Sequence, residues 1–370
     1  YGSGLNPLRG QNNVQGGGDM GALPNKLTGF QDVEDPVARS KFERAWGVTI
    51  PPKNGWNLSQ MFEAMDHDEL KALYVLGENP AQSEADSTLT INRLRKLEIL
   101  VVQDILMTKT AEMADVVLPA SASWCESEGT VTNSERRVQR VRKAVSPPGR
   151  ARDDIEILCD LARRLGRDLG NPSAQEIWDE LRALSPMHGG MSYERLEKLG
   201  GIHWPCPDES SPGEQFLHGR LWEEPVRGRR APFSVVEQRA PADALDASFP
   251  LRLTTGRRLD SYNTGVQTGA YSSPLRRGET IDLSPSDATR FGVREGERVT
   301  VRSRRGHVEV PVRIDPGLRV GLAFMSVHFP DEVDTNALTI DAVDPKSGTS
   351  EFKAAAIRIE KLSAGDAAAE

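Results

Sequence analysis

Near its start the chain sets one arginine ahead of four carboxamides, in Asn6-Pro7-Leu8-Arg9-Gly10-Gln11-Asn12-Asn13-Val14-Gln15-Gly16. Arginine presents a rigid fork of donors that matches a small planar anion such as a carboxylate. The amides of Gln11, Asn12, Asn13 and Gln15 donate and accept without charge, so they can position polar groups without repelling an anion. Pro and Gly punctuate the stretch and no apolar period of 2 or 3.6 runs through it, so it reads as a loop. Taken by itself, a solvated turn is the plainer description of the same residues.

Two more polar groups stand at the ends of apolar runs. Gly77-Glu78-Asn79 follows the run at 70–76, and Gln103-Asp104 follows the run at 97–102. In open α/β sheets, ligands sit outside the carboxyl ends of the strands. Asp104 is placed like the acid that reads a ribose or base edge in nucleotide-binding sheets, although Asp at a strand end is as often a turn residue or a cap. Residues 16–21, Gly-Gly-Gly-Asp-Met-Gly, formally fit G-x-G-x-x-G, but no buried strand precedes them and they are not read as a dinucleotide fingerprint. A glycine segment that lets a backbone come close stays open. The pair Arg136-Arg137 suits either a phosphate contact or a salt-bridged surface. Cys125, Cys159 and Cys206 form no C-x-x-C pair, no disulfide framework and no cluster-binding run, and the six histidines have no ligand spacing. No metal ligand is assigned in this chain.

The elements that must position these residues change character along the chain. Residues 39–46 and 57–66 pattern as helices. Three short apolar runs at 70–76, 97–102 and 114–119 predict a parallel sheet of α/β type. A helix is expected over 153–165, with acids in its first turn, Arg163 and Arg164 in its last and Gly166 as its stop. Periodicity fades from 167 to 247 apart from a helix at 174–184, so this stretch reads as a linker draped over a neighbour without a core of its own. Beyond it, strands are expected at 252–257, 298–303, 307–314 and 321–328. One small helix has Ser284 as N-cap, Pro285 at its first position, Asp287 at its third and Gly292 as its end. Short strands with turns between them predict a closed β-barrel.

At 370 residues the chain is long enough for two domains. A net charge of −8 offers no electrostatic invitation to nucleic acid or to an anionic membrane. No run approaches the ~18 apolar residues of a membrane span, and no signal peptide is visible. Cytoplasmic location is the default that this leaves. The chain opens at Tyr1, and its first residues read like the middle of a protein.

Several stretches stand together in order: N-P-L-R-G-Q-N-N-V-Q-G at 6–16 with D-M-G-A-L-P at 19–24, then L-G-E-N-P, V-V-Q-D, A-D-V-V-L-P and G-T-V-T-N-S-E-R-R-V-Q. In the last third come T-T-G-R, Y-N-T-G-V-Q-T, L-S-P-S-D-A, S-R-R-G, H-F and E-F-K. The set resembles the C-terminal half of a molybdopterin-dinucleotide oxidoreductase, in the branch of the formate dehydrogenase α (catalytic) subunit. The likeness covers nearly the whole chain, and the R-G-Q-N-N-V-Q-G stretch favours the formate branch. It implies residues 1–11 as the end of a missing upstream α/β domain and 12–166 as a Rossmann-like α/β molybdopterin oxidoreductase domain. Residues 167–247 would be a linker with short helices, and 248–370 a double-psi β-barrel that binds molybdopterin dinucleotide. The cofactor implied is two molybdopterin guanine dinucleotides holding one molybdenum or tungsten, with a [4Fe-4S] cluster expected only in the missing N-terminal part.

The same resemblance assigns roles to residues. Arg9 would orient formate beside the metal, with Gln11 as its neighbour. Gly77, Glu78, Asn79, Gln103 and Asp104 would line a dinucleotide site. Thr255, Gly256, Arg257, Tyr262, Thr264, Thr268, Asn336, Phe352 and Lys353 would face the pterins. The family's cysteine-rich iron–sulfur domain, and its Cys or selenocysteine metal ligand with an adjacent His, are not among these residues. The chain is therefore expected to be inactive alone and to need its N-terminal half or a companion polypeptide, with electron-transfer subunits as further partners. A non-catalytic pterin-binding scaffold, or a paralogue that oxidises another small substrate, are the alternatives.

Overall fold

The structure is a computed structural model, and it describes residues 11–122, 125–217, 233–258, 261, 263–264 and 278–362. The chain divides into two compact units, one of residues 1–57 with 119–236 and the other of residues 58–118 with 237–370.

In the second unit, the three apolar runs form a three-stranded sheet of Ala72–Leu76, Ile99–Asp104 and Val116–Pro119, in that order. The first two strands are parallel, with Leu76 opposite Gln103, so their polar carboxyl ends finish side by side. Val75, Leu100 and Val102 are buried together with Ala111. Parallel pairing needs a crossover, and the helices Pro80–Ser83 and Ser87–Leu94 supply it. Asp86 starts the longer one, its carboxylate accepting the Leu89 N–H at 3.2 Å. Helix Leu58–Asp66 adds Phe62 and Met65 to a cluster with Ala81 and Leu94. Full burial of a side chain such as Phe62 contributes about 2 kcal/mol.

The same unit holds the expected barrel. Six strands close in the order Ile281–Leu283, His307–Ile314, Arg298–Arg302, Ala355–Lys361, Leu251–Gly256 and Leu322–Ser326. Alternation is what sends one face inward: Leu251, Leu253 and Thr255 are buried while the residues between them are less so. Leu251 and Leu253 join Val299, Val301, Val310, Val312, Met325 and Ile357 in one core. Helix Pro285–Phe291 begins as its sequence dictates, with Ser284 Oγ accepting the Asp287 N–H at 3.1 Å, and it ends at Gly292 in the left-handed region. Asp243 fastens the approach to the barrel. Its carboxylate accepts from Arg304, Arg305 and, at 2.7 Å, the Ala356 N–H. Burial works against that charge, but the bonds from Arg305 and Ala356 hold its pKa below the ordinary value.

The first unit departs from the sequence expectation in two places. Residues 14–19 of the opening stretch, read as loop, form the helix Val14–Asp19 in spite of three glycines. Tertiary bonds hold it where propensity does not. Asn13, at φ 62°, accepts the Thr132 N–H on its side-chain oxygen at 2.9 Å. A Cβ on Gly16 would lie 1.9 Å from that same oxygen, so a side chain there would push the Asn13 amide off the Thr132 N–H.

The second departure lies in residues 167–247, whose described part has a core. Trp178, Met191, Tyr193, Leu196, Ile202, Trp204 and Cys206 are buried with Val138. Helices Ala174–Leu184 and Tyr193–Leu199 and strand Ile202–His203 supply Trp178, Tyr193, Leu196 and Ile202, and the connecting segments supply Met191, Trp204 and Cys206. That strand joins the hairpin Gly129–Thr132/Arg137–Val141 through Ile202 opposite Val138. Apart from helix Ala174–Leu184 the elements are too short to show a period, and their core forms only when they meet. Elsewhere the local signals hold: Ser173 and Glu176 make a capping box, and helix Asp154–Arg164 starts from Asp153. Arg136 and Arg137 bond backbone carbonyls, Arg136 those of Trp204 and Gln215 and Arg137 that of Gly200. Cys159 and Cys206 are buried and Cys125 is partly so, all three as free thiols. Among the described residues no helix is long and apolar enough to cross a membrane, and no group of three or more His, Cys, Asp or Glu is placed to hold a metal.

Candidate cofactor-binding site

The strand ends of the second unit carry the densest set of sequence-assigned residues. The parallel register places Gly77-Glu78-Asn79 beside Gln103-Asp104, and the Gly77 N–H donates to the Gln103 carbonyl at 2.8 Å. Gly77 turns the chain at φ 62°, which glycine adopts without strain. Gln103 is buried, and its side chain accepts from the Tyr74 hydroxyl.

Asn79 is spent inward. Its oxygen accepts from the Thr110 N–H at 3.2 Å and the Thr110 hydroxyl at 2.8 Å, while its amide donates to Gln82 at 2.6 Å. Gln82 in turn donates to Asp331 at 2.6 Å, and its carbonyl accepts from Asn336 Nδ2 at 2.9 Å. Two assigned residues far apart in the chain, Asn79 and Asn336, are thus joined through one glutamine. Sequence reasoning missed Gln82. Its only local signal is a polar residue in the first turn after Pro80.

Three acids gather at the same strand ends. The Ser83 hydroxyl lies 3.1 and 3.2 Å from the two oxygens of Glu78 and 3.4 Å from Glu84. Burial raises the pKa of Glu78, against the bonds from Ser83 and the Asn79 N–H, and the charge of Asp104 adds to the rise. Burial raises Asp104 too, opposed by the N–H groups of Leu106 and Ile105. Glu84, which sequence reasoning missed, is pushed up from 4.5 to about 7 by burial first and by Glu78 second. Together the three carboxyls offer a set of acceptors at the strand ends. A ligand edge rich in N–H groups would find acceptors there, and a phosphate would meet like charge.

The sign of the Glu84 shift sets a prediction. The folded protein holds a proton that the unfolded chain releases above pH 4.5, so stability falls as pH rises toward 7 and is level beyond. The loss is at most roughly 3 kcal/mol. Glu84→Gln should remove most of it. Urea midpoints of both proteins at pH 5 and pH 8 measure this, and an equal pH response in the two would refute it.

The barrel brings together a second set. The Thr255 hydroxyl donates to the Phe352 carbonyl at 3.0 Å, and Lys353 Nζ donates to the Thr255 carbonyl at 3.0 Å. Gly256 follows at the strand end opposite Ser326, where an added Cβ would lie 3.0 Å from the Phe324 ring. Arg257 is exposed and has no hydrogen bond or ion pair among the described residues, so its guanidinium is available to a ligand. Thr264 is partly buried in a turn. Gln11 is partly buried in a bend of the first unit, while Arg9, Tyr262 and Thr268 lie outside the described residues.

Two family models match along the chain. The molybdopterin oxidoreductase model matches residues 2–164, and the molybdopterin dinucleotide-binding domain model matches residues 251–356. The chain belongs to the molybdopterin oxidoreductases. The chain is 41% identical to the α subunit of the F420-dependent formate dehydrogenase of Methanocaldococcus jannaschii, over 98% of this chain and 53% of that protein. It is 35% identical to the assimilatory nitrate reductase catalytic subunit of Bacillus subtilis, over 96% of this chain and 52% of that one. The chain therefore spans about half the length of the curated relatives it matches. Its fold is like that of acetylene hydratase from Pelobacter acetylenicus, with a TM-score of 0.63 and 19% identity over 89% of this chain and 50% of the other. The family cofactor is a molybdopterin, and the donors and acceptors present fit one. The acids at the strand ends suit a base that offers N–H donors, and the free guanidinium of Arg257 suits an acceptor-rich group.

Proposed function

We propose that this chain is the C-terminal part of the catalytic subunit of a formate dehydrogenase, converting formate to carbon dioxide and a proton with transfer of two electrons. Two molybdopterin guanine dinucleotides would hold molybdenum or tungsten, and when bound that group supplies the redox step. What this chain supplies is binding and orientation. Asp104, Glu78 and Glu84 take the N–H edge of a guanine, with Gly77 and Gln103 shaping the strand ends and Asn79 bracing them. Thr255, Gly256, Arg257, Tyr262, Thr264, Thr268, Asn336, Phe352 and Lys353 face the pterins from a barrel of double-psi type. Arg9 and Gln11 orient formate. In this reading residues 1–11 close an upstream α/β domain, the sheet belongs to a Rossmann-like domain, and the remaining subunit sequence carries the metal ligand and the iron–sulfur cluster. Electron-transfer subunits would complete the assembly.

The observation that carries the reading is the array of carboxyl acceptors at the strand ends, within a chain 41% identical to a formate dehydrogenase α subunit over 98% of its length. The 35% likeness to a nitrate reductase supports a second substrate, nitrate, on the same scaffold. The test expresses the full-length subunit in a host that makes the cofactor. Pterin and guanine nucleotide per chain are measured, together with dye reduction by formate and reduced-dye oxidation by nitrate. Stoichiometric pterin with formate-dependent dye reduction is expected. Pterin with nitrate turnover alone would move the reading to the second substrate, pterin with neither activity would favour a scaffold, and no pterin would overturn it.

A further inference from the structure

His328 has no accessible surface, and its ring touches both ends of the segment that follows Gly256. The Arg258 N–H donates to Nε2 at 2.7 Å, and Nδ1 lies 2.7 Å from the carbonyl oxygen of Asn263. A carbonyl has no proton to offer, so Nδ1 must donate. An amide N–H has no lone pair to offer, so Nε2 must accept. The ring is thus held as the neutral Nδ1–H tautomer, since an imidazolium would have no acceptor for Arg258. Arg258 is fixed from its other end as well, where its guanidinium donates to the Gly278 carbonyl and lies 3.7 Å from the buried carboxylate of Glu279.

We propose that His328 is a positioning residue: its tautomer-locked ring clamps Arg258 and Asn263 and so sets where Arg257 and Thr264 meet the bound cofactor. This rests on the cofactor-binding reading above. Its place in the fold supports it, since His328 follows strand Leu322–Ser326, the parallel partner of the strand that ends at Gly256.

Three variants of the full-length subunit separate the clamp from simple core packing. A glutamine can set Oε1 where Nε2 was and still accept from Arg258, whereas an asparagine can set Nδ2 where Nδ1 was and still donate to Asn263. His328→Ala should speed amide exchange at Arg258 about tenfold, the loss of one buried hydrogen bond, with pterin per chain falling by a similar factor. Exchange in the barrel strands should stay as in the parent. His328→Gln should restore protection at Arg258, and His328→Asn should not. Unchanged exchange and pterin in His328→Ala would overturn the proposal, as would a loss of protection across the whole barrel that neither conservative variant repairs. A parent protein protected at Arg258 yet free of pterin would overturn the cofactor reading, and the role toward the cofactor with it, while the exchange data establish the clamp.

Discussion

Replacing Asp19 by alanine should destabilise the protein by about 3–5 kcal/mol. Its carboxylate is fully buried and serves two donors, Trp204 Nε1 at 2.9 Å and Gln15 Nε2 at 3.0 Å. His188, also fully buried, places Nε2 3.8 Å away while its Nδ1 meets the Ser185 hydroxyl at 2.7 Å. Each buried donor left without an acceptor costs on the order of 1–3 kcal/mol, and the shortened side chain leaves a void besides. The local consequence is larger than the global one. Asp19 ends the glycine-rich helix Val14–Asp19, its carbonyl accepts the Gly29 N–H at 2.7 Å, and little else than such bonds favours that helix. Asp19→Asn keeps an acceptor for Trp204 and should cost roughly half as much. Urea unfolding followed by tryptophan fluorescence measures both. A change under about 1 kcal/mol in the alanine variant would show that the helix is held by something other than this carboxylate.

On the proposed formate reading, Arg9→Lys should cut formate turnover of the full-length subunit by about 10- to 100-fold in kcat/KM. A guanidinium meets both carboxylate oxygens at once, while an ammonium is a point charge that meets one. The difference is one charge-assisted bond and the direction it imposes on the C–H bond of formate. The lysine keeps the positive charge, so an effect of this size would report geometry over simple attraction. Steady-state rates with formate decide it, with pterin content checked to show that the variant is loaded. An unchanged rate would mean that Arg9 is not the group that orients the substrate.

These two predictions mark the boundary between what was legible in the sequence and what was not. The caps at Ser284, Ser173 and Asp153 are readable because each bond joins residues within about one helical turn, so a short window contains both partners. The same holds for the alternation of Leu251, Leu253 and Thr255, which follows from the two-residue period of a strand. The ordered motifs carried the family for a related reason, since a chain that keeps many short matches in sequence keeps the fold they belong to. The strand-end residues Gly77 to Asn79, Gln103 and Asp104 were placed correctly at one edge because a parallel sheet leaves its carboxyl ends together.

Tertiary structure alone decided the rest, and the common feature is separation along the chain. Asn336 reaches Gln82 across 254 positions, Trp204 reaches Asp19 across 185, and His328 reaches Asn263 across 65. No local pattern encodes such a bond, because each partner is an ordinary polar residue until the fold removes water from around it. The core of residues 174–206 is likewise not legible locally: helix Ala174–Leu184 shows in the sequence, but its partners are too short to show a period and lie in separate elements. Glu84 shows the point most simply. Its carboxyl is an ordinary glutamate in the sequence, and it becomes a group that titrates near 7 only when burial and the neighbouring Glu78 act on it together.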